Sequence, residues 1–351
     1  MTATQSGSIS DALPRQLGGG PEPVCPLLYD ARARAAPIGP DAFFRLQFRT
    51  DASQGEDSTV ICVPLRPLGG GSHWETWAGP EPIEMDLTGD IRAVASADHV
   101  VVHARKAVGP NTDMTAATLA VYRDALHRIR DLGYSYLVRI WNFVPDINGG
   151  SGDDEIYMRF NRGRAAAFDY LDLPPRQFPA ATGVGCPAGA PLTVIILASR
   201  SEPLAIENPR QVSAYHYPRQ YGPRPPAFAR AMVLPDRDGG KLFISGTASI
   251  VGHESQHRDI EPQLQETLAN LDQLMETVGA RLPGVAVGPR RIWRVYLRDP
   301  ADLERVEAEV ARRLGGSDSV VFLQADICRR ELRVEVEGVC ELTAASAPSH
   351  A

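Results

Sequence analysis

The spacing of apolar residues writes one pattern twice along the chain. Residues 98–199 and 240–339 each predict a strand, a loop, a long amphipathic helix, a strand, a second helix and two further strands. In the first copy Leu119, Tyr122, Leu126, Ile129 and Leu132 recur every three or four positions, which predicts a helix over 115–133 that Gly133 stops. In the second copy Leu264, Leu268, Leu271, Leu274 and Val278 form the buried stripe of a helix over 260–279, with Asp259 as N-cap and Pro262 in its first turn. The second helices fall at 154–170 and 300–314. Aligning His99–Ala104 with Lys241–Gly246 carries strand 137–143 onto 292–297 and strand 192–196 onto 332–336.

The comparison of copies singles out one carboxylate. Glu335 stands where the first copy has Ile195, and Gly246 where it has Ala104. Leu332, Val334 and Val336 alternate with Arg333, Glu335 and Glu337, the pattern of an antiparallel sheet with one solvated face. The matching face of the first copy carries Thr193, Ile195 and Leu197 and reads as buried. If the two sheets stack, Glu335 is desolvated, and desolvation raises a carboxyl pKa toward that of a proton donor near neutral pH. Cys328 lies seven residues earlier, and a short turn at Arg329-Arg330-Glu331 would bring it across a hairpin to Val334 and Glu335. A buried cysteine otherwise serves packing.

Outside the copies the pattern is less regular. Residues 1–22 read as a flexible leader. Residues 23–97 hold short apolar runs such as 43–48 and 59–65, with turns at Gly69–Gly71 and Gly79-Pro80, and are expected to extend the first sheet. Residues 207–231 are too rich in proline for a helix and concentrate tyrosine, histidine and arginine, so we expect a segment folded over a cleft between domains. The expected organisation is a module over 23–206 with extra strands, a connector over 207–231 and a catalytic module over 232–351.

Composition narrows the function. The 351 residues leave room for two ordinary domains, and the apolar (43%) and charged (23%) fractions are those of a soluble protein. A net charge of −7 supplies no footprint for nucleic acid or an anionic membrane, and no apolar run is long enough to span a bilayer. The five cysteines are scattered with no CxxC pair, so neither a zinc site nor a disulfide framework is indicated, and a cytoplasmic location is expected. His253-Glu254-Ser255-Gln256-His257 matches HExxH, but it precedes the helix, without the one-turn geometry zinc needs. No glycine-rich stretch leads into GK[ST], and neither GxGxxG between a strand and a helix nor GxSxG occurs.

Two resemblances give these residues a setting. Leu242–Gly246, Leu268–Leu271 and Val334–Gly338 resemble the YjgF/RidA fold over the last third of the chain. Over roughly residues 90–340 the chain resembles the chorismatases. The motifs are Arg139-Ile140-Trp141-Asn142-Phe143, Phe178-Pro179-Ala180-Ala181-Thr182-Gly183, Glu207-Asn208-Pro209-Arg210, Tyr215-His216-Tyr217-Pro218, Tyr221-Gly222-Pro223-Arg224, Ser245-Gly246-Thr247-Ala248-Ser249 and Cys328-Arg329. The resemblances imply an α+β protein of two tandem YjgF/RidA-like modules, each a mixed sheet with helices on one face. They also imply an enzyme that removes pyruvate from chorismate with no cofactor and no metal. One branch of the family hydrolyses chorismate to a dihydroxycyclohexadiene carboxylate; another rearranges it to 3-hydroxybenzoate and is marked by Gly246 and Cys328.

Within that reading Glu335 is our choice of acid for the enolpyruvyl methylene. Gly246 would leave room for the ring, and Cys328 would position it or move a proton. Arg224, Tyr217, Tyr221 and Arg164 are our choices for the two substrate carboxylates, with Arg139, Arg159 and Arg162 competing with Arg164. The rival readings are the hydrolytic branch, a chorismate mutase, and a RidA-like metabolite-binding or deaminase protein, whose arginine before the second-last strand has no match at 315–319. The expected partner is chorismate alone, with no nucleic acid or membrane, for a monomer or small homo-oligomer.

Overall fold

The repeat is built as two seven-stranded sheets whose strand orders correspond position by position. The computed structural model of the chain describes residues 28–32, 42–49, 60–69, 73–78, 83–84, 89–236, 239–314 and 319–344; the leader at 1–22, much of the turn at 69–71 and the turn at 79–80 lie outside them. The N-terminal part holds β1 (Leu28–Arg32), β2 (Ala42–Phe48), β3 (Val60–Val63), β4 (Arg66–Pro67) and β5 (His73–Ala78). The first module follows as β6 (Ile83–Glu84), β7 (Ile91–Ala95), β8 (His99–Lys106), α1 (Met114–Asp131), β9 (Tyr136–Pro145), α2 (Ile156–Tyr170), β10 (Ala180–Cys186) and β11 (Leu192–Ser199). The second holds β12 (Leu204–Ile206), β13 (Ala231–Leu234), β14 (Gly240–Ala248), the hairpin β15 (Ile250–Val251) and β16 (Glu254–Ser255), then α3 (Ile260–Arg281) and β17 (Val285–Leu297). It closes with α4 (Leu303–Leu314), β18 (Ser319–Gln324), β19 (Asp326–Ile327) and β20 (Val334–Ala344).

The first large sheet runs β19-β10-β9-β11-β8-β7-β6 and the second β4-β18-β17-β20-β14-β13-β12. Among the described residues, the β9–β10 and β17–β18 pairs are the parallel ones in these two sheets, each bridged by the second helix of its module. Strand membership crosses the expected boundaries. β12, expected with the first module, is an edge of the second sheet, and each large sheet borrows a two-residue edge strand from elsewhere in the chain (β19 and β4). Residues 23–97 do not simply extend the first sheet: β1, β5, β2 and β3 form a separate four-stranded sheet. Among the described residues, no helix is long and apolar enough to cross a membrane.

The helices cover one face of each large sheet, because their apolar stripes need a partner. Asp113 caps α1 by accepting from the Thr115 and Ala116 amides, whereas Asp259 occupies the N-cap position of α3 without a side-chain cap bond. Gly163 lets α2 lie directly on α1, since a Cβ there would come within 2.6 Å of Thr118 Cβ. That contact fixes the helix that carries Tyr157 and Arg164.

The other faces of both large sheets turn inward onto the N-terminal sheet and form one core. Trp77 stacks on Phe44 and Phe243 and meets Trp141 edge-on, with ring centroids at 5.2, 6.2 and 5.8 Å. The polar half of the β20 alternation therefore faces protein: Glu335 and Glu337 are 4% and 2% exposed. β5 alternates buried and half-buried residues, and the two carboxylate oxygens of its inward Glu75 accept from Nε and one terminal nitrogen of Arg294. Arg294 also donates to Glu337 at 2.6 Å, and Glu337 takes Arg139 of the first module at 2.5 Å. This buried chain of alternating charge ties the three sheets together.

Removing one end of such a chain leaves a charge without its partner in a medium that solvates it poorly. Glu75→Ala is expected to cost about 3–5 kcal/mol of stability in urea unfolding at neutral pH, against about 0–1 kcal/mol for Asp169→Ala in an exposed pair. Equal losses for the two variants would contradict this.

Candidate active site

Glu335 projects from the inner face of β20 into an open-mouthed cleft with about 720 Å³ of empty space, mouth included. The cleft lies where β10 of the first module crosses β14 of the second, a junction pinned by Ser245, whose hydroxyl accepts from the Ala181 amide at 2.9 Å and donates to the Ala229 carbonyl at 2.6 Å. Helix α2, the connector and the segment after β19 close its sides.

Gly246 sits in a β-bulge. Between Ile244 and Thr247 the register of β14 on β20 slips, whereas β8 pairs with β11 without interruption. Ile195 pairs with His103 and Trp141, and Glu335 with Ala248 and Tyr296, so the structural counterpart of Ala248 is His103. The sequence alignment of these strands was therefore out of step, and Ala104 is not the counterpart of Gly246. Gly246 lines the cleft and also abuts the Glu335 carboxyl. A Cβ there would overlap the Glu335 carboxyl oxygen, lie 2.8 Å from its Cδ and come within 3.2 Å of Thr182. The glycine makes room for the carboxyl itself.

Burial is the main force on that carboxyl. It pushes the Glu335 pKa up to about 8, and neighbouring Glu337 adds to the effect while Arg139 and Arg230 oppose it. Burial would raise Glu337 as well, but Arg139 and Arg294 outweigh it and hold Glu337 below the usual carboxylate range. Thr182 ties these groups to the bulge: its hydroxyl oxygen accepts from Arg139 and, at 2.9 Å, from the Gly246 amide.

Cys328 reaches the cleft by a different route from the one expected. β19 does not form a hairpin with β20; it pairs with β10 in the other sheet. Asn148 holds the Ile327 carbonyl at 3.1 Å, and Arg298 spans from Asn148 to the Leu332 carbonyl, so residues 326–332 are clamped between modules. Burial and the nearby Glu335 push the Cys328 thiol up to about 12, which keeps it protonated.

Glu335, Cys328, Gly246, Tyr217, Tyr221 and Arg164 all line this one cleft. Arg224 does not. It is exposed on the outer side of the connector and pairs with Asp169 at the end of α2, at 2.8 Å. Its effect is to fasten the connector, together with Arg219 on Asp153 at 2.6 Å and the turn at Gly222, where φ is +118° and Met158 sulfur fills the space of a side chain. The HExxH stretch runs through the β15–β16 hairpin, with His253 against the Tyr221 ring and His257 toward Glu266.

Two arginines that sequence reading passed over stand in the cleft instead. Arg230 donates to Tyr217 Oη and the Val212 carbonyl, both at 2.8 Å. Arg329 lies 3.8 Å from the Tyr221 ring centroid and donates to the His253 carbonyl at 2.9 Å. Among the described residues, Nε of Arg164, Nε of Arg230 and one terminal nitrogen of Arg329 are buried with no protein acceptor. Three guanidinium groups with unspent donors beside one protonated carboxyl suit an anionic substrate that must accept a proton. The only signal for Arg329 was its place directly after Cys328; Arg230 reads as an ordinary charge at the end of the connector.

Residues 75–198 match the family model described as chorismatase FkbO/Hyg5-like, N-terminal. The chain is 42% identical over 244 residues to a 3-hydroxybenzoate synthase of Streptomyces hygroscopicus, covering 66% of this chain and 71% of that one. It is 37% identical over 296 residues to a chorismatase of the same species, covering 83% and 86%. A chorismatase crystal structure superposes with a TM-score of 0.79 at 30% identity, covering 92% of this chain and all of that one.

Keeping Glu335 protonated in the fold has a thermodynamic signature. The unfolded chain releases this proton above its ordinary pKa of 4.5, while the folded chain holds it until about pH 8. Over that window the native state binds more protons, so its stability falls as pH rises. Glu335→Gln should therefore be more stable than the parent, by a margin that grows from pH 4.5 to about 8 and then levels, reaching on the order of a few kcal/mol. Thermal unfolding across this range checks it; a margin independent of pH would contradict the assignment.

Proposed function

Since the chain belongs to the chorismatase family, we propose that it converts chorismate to 3-hydroxybenzoate and pyruvate, with Glu335 as the acid. The observation that carries this reading is the buried, proton-holding Glu335 carboxyl in a cleft with three incompletely satisfied arginines.

Chorismate is a cyclohexadiene with two carboxylates and an enolpyruvyl ether. Proton transfer from Glu335 to the terminal methylene makes it a methyl group and leaves an oxocarbenium ion on the ether carbon. The ring C4 hydroxyl then attacks C3, the C3–O ether bond breaks, and the departing oxygen becomes the keto oxygen of pyruvate. The hydroxyl proton returns to Glu335. Opening the resulting epoxide at C4 leaves oxygen on C3, and loss of the C3 hydrogen gives the phenol. No water is consumed and no electrons are exchanged with a carrier, so this route calls for no cofactor. Arg164, Arg230 and Arg329, with the hydroxyls of Tyr217 and Tyr221, are the groups we assign to the two carboxylates. To Cys328, a neutral thiol beside Glu335, we assign packing on the ring or donation of a hydrogen bond during epoxide opening.

Incubation with chorismate should yield 3-hydroxybenzoate and pyruvate in equal amounts by chromatography. Recovery of unchanged chorismate would overturn the function, and the dihydrodiol in place of the phenol would overturn the aromatising route. Glu335→Gln should lower turnover by about 10²–10⁴-fold. In the parent, turnover should fall above about pH 8 as the acid ionises; a rate that rises through this range would count against Glu335. Cys328→Ala should reduce 3-hydroxybenzoate more than pyruvate, and equal losses would remove the thiol from the later step.

A further inference from the structure

The two inward carboxylates of β20 are two residues apart on one face, yet only Glu337 has a guanidinium to itself. Arg139 is close enough for its charge to act on both. Its hydrogen bonds to Glu337 and Thr182 both leave one terminal nitrogen, while its Nε and other terminal nitrogen are buried with no protein acceptor among the described residues, so it is the Glu337 charge and not a shortage of donors that keeps this guanidinium from Glu335. Glu337 is further held by Arg294 and by the Trp141 indole at 3.1 Å. Glu75, in turn, engages Arg294 through both carboxylate oxygens. The four charges Glu75, Arg294, Glu337 and Arg139 sum to zero, so an ionised Glu335 would add a charge that this buried chain does not balance.

We propose that Glu337 is a positioning residue: by holding Arg139, it denies that guanidinium to Glu335 and so keeps the acid's proton in place. This rests on the reading of Glu335 as the acid. The other groups that face Glu335 do not take over the role. From β17 and α2 come the phenols of Tyr296 and Tyr157, both raised chiefly by burial, and from the segment after β19 the Cys328 thiol; all are neutral near pH 8. The remaining cations, Arg164 on α2, Arg230 on the connector and Arg329, line the cleft and are not among the groups that act on Glu337. The connector phenols Tyr217 and Tyr221 engage Arg230 and Arg329.

The test compares the full-length parent, Glu337→Gln, Arg139→Gln and the double variant. Two readouts are used: the pH dependence of turnover, and the protonated-carboxyl infrared stretch of Glu335, isolated by subtracting the same protein carrying Glu335→Gln. In Glu337→Gln the freed Arg139 should pair with Glu335 and lower both midpoints by about 1–3 pH units. The double variant should bring them back toward the parent value, which a merely structural role would not do. Arg139→Gln alone should leave them unchanged or raised, and this arm remains decisive if Glu337→Gln fails to fold. Unmoved midpoints in Glu337→Gln, or a fall in Arg139→Gln, overturn the proposal. A parent protein with no such infrared band near neutral pH would instead remove Glu335 as the acid, and the proposal with it.

Discussion

The structure depends on a buried chain of alternating charge. Glu75 comes from the N-terminal sheet, Arg294 and Glu337 from the second module and Arg139 from the first. Ions removed from water at this depth are tolerable only when each has a close partner of opposite sign. Arg294 and Glu337 of the second sheet balance each other, but the single charges Glu75 and Arg139 find their partners only across sheets. The aromatic cluster around Trp77 makes the sheets adhere, as any apolar surface would; the charge chain dictates how they must be oriented. The N-terminal residues, whose role composition leaves unread, thereby gain one: they carry the terminal carboxylate.

The same constraint separates two chemically identical side chains. Glu337 lies within the chain and ionises easily; Glu335, one pleat further along, lies beyond it and keeps its proton. A difference between the two modules explains why this occurs once. The first module has an apolar residue at the equivalent position and an unbroken β8–β11 ladder, so it offers neither the carboxyl nor the bulge that makes space for it. It contributes instead a wall, through β10 and α2, and the guanidinium that Glu337 retains.

The connector completes the cleft by an exchange of roles. The arginines on its outer side, Arg219 and Arg224, spend their charge on Asp153 and Asp169 and hold it against α2. Its tyrosines face the cleft, where they flank Arg230 and Arg329. An arginine in such a segment can serve either purpose, and which it serves depends on the side of the chain it occupies.

Periodicity alone determined much of this molecule. Helices over 114–131, 156–170, 260–281 and 303–314 were legible to within a few residues, because an apolar stripe at helical spacing has few other ways to be buried. The doubling was legible too, as was Glu335 as the odd residue between copies. Tertiary structure decided the rest. Whether the polar side of β20 meets water or protein depends on what lies opposite, and alternation cannot report that. The bulge at Gly246 is a property of pairing between strands about ninety residues apart in sequence. The approach of Cys328 to Glu335 depends on β19 joining the other module's sheet, and the choice of Arg230 and Arg329 over Arg224 depends on which way each side chain leaves its loop. A sequence records what each residue can do chemically, whereas the proton on Glu335 depends on which charges the fold brings near it and which it has already paired.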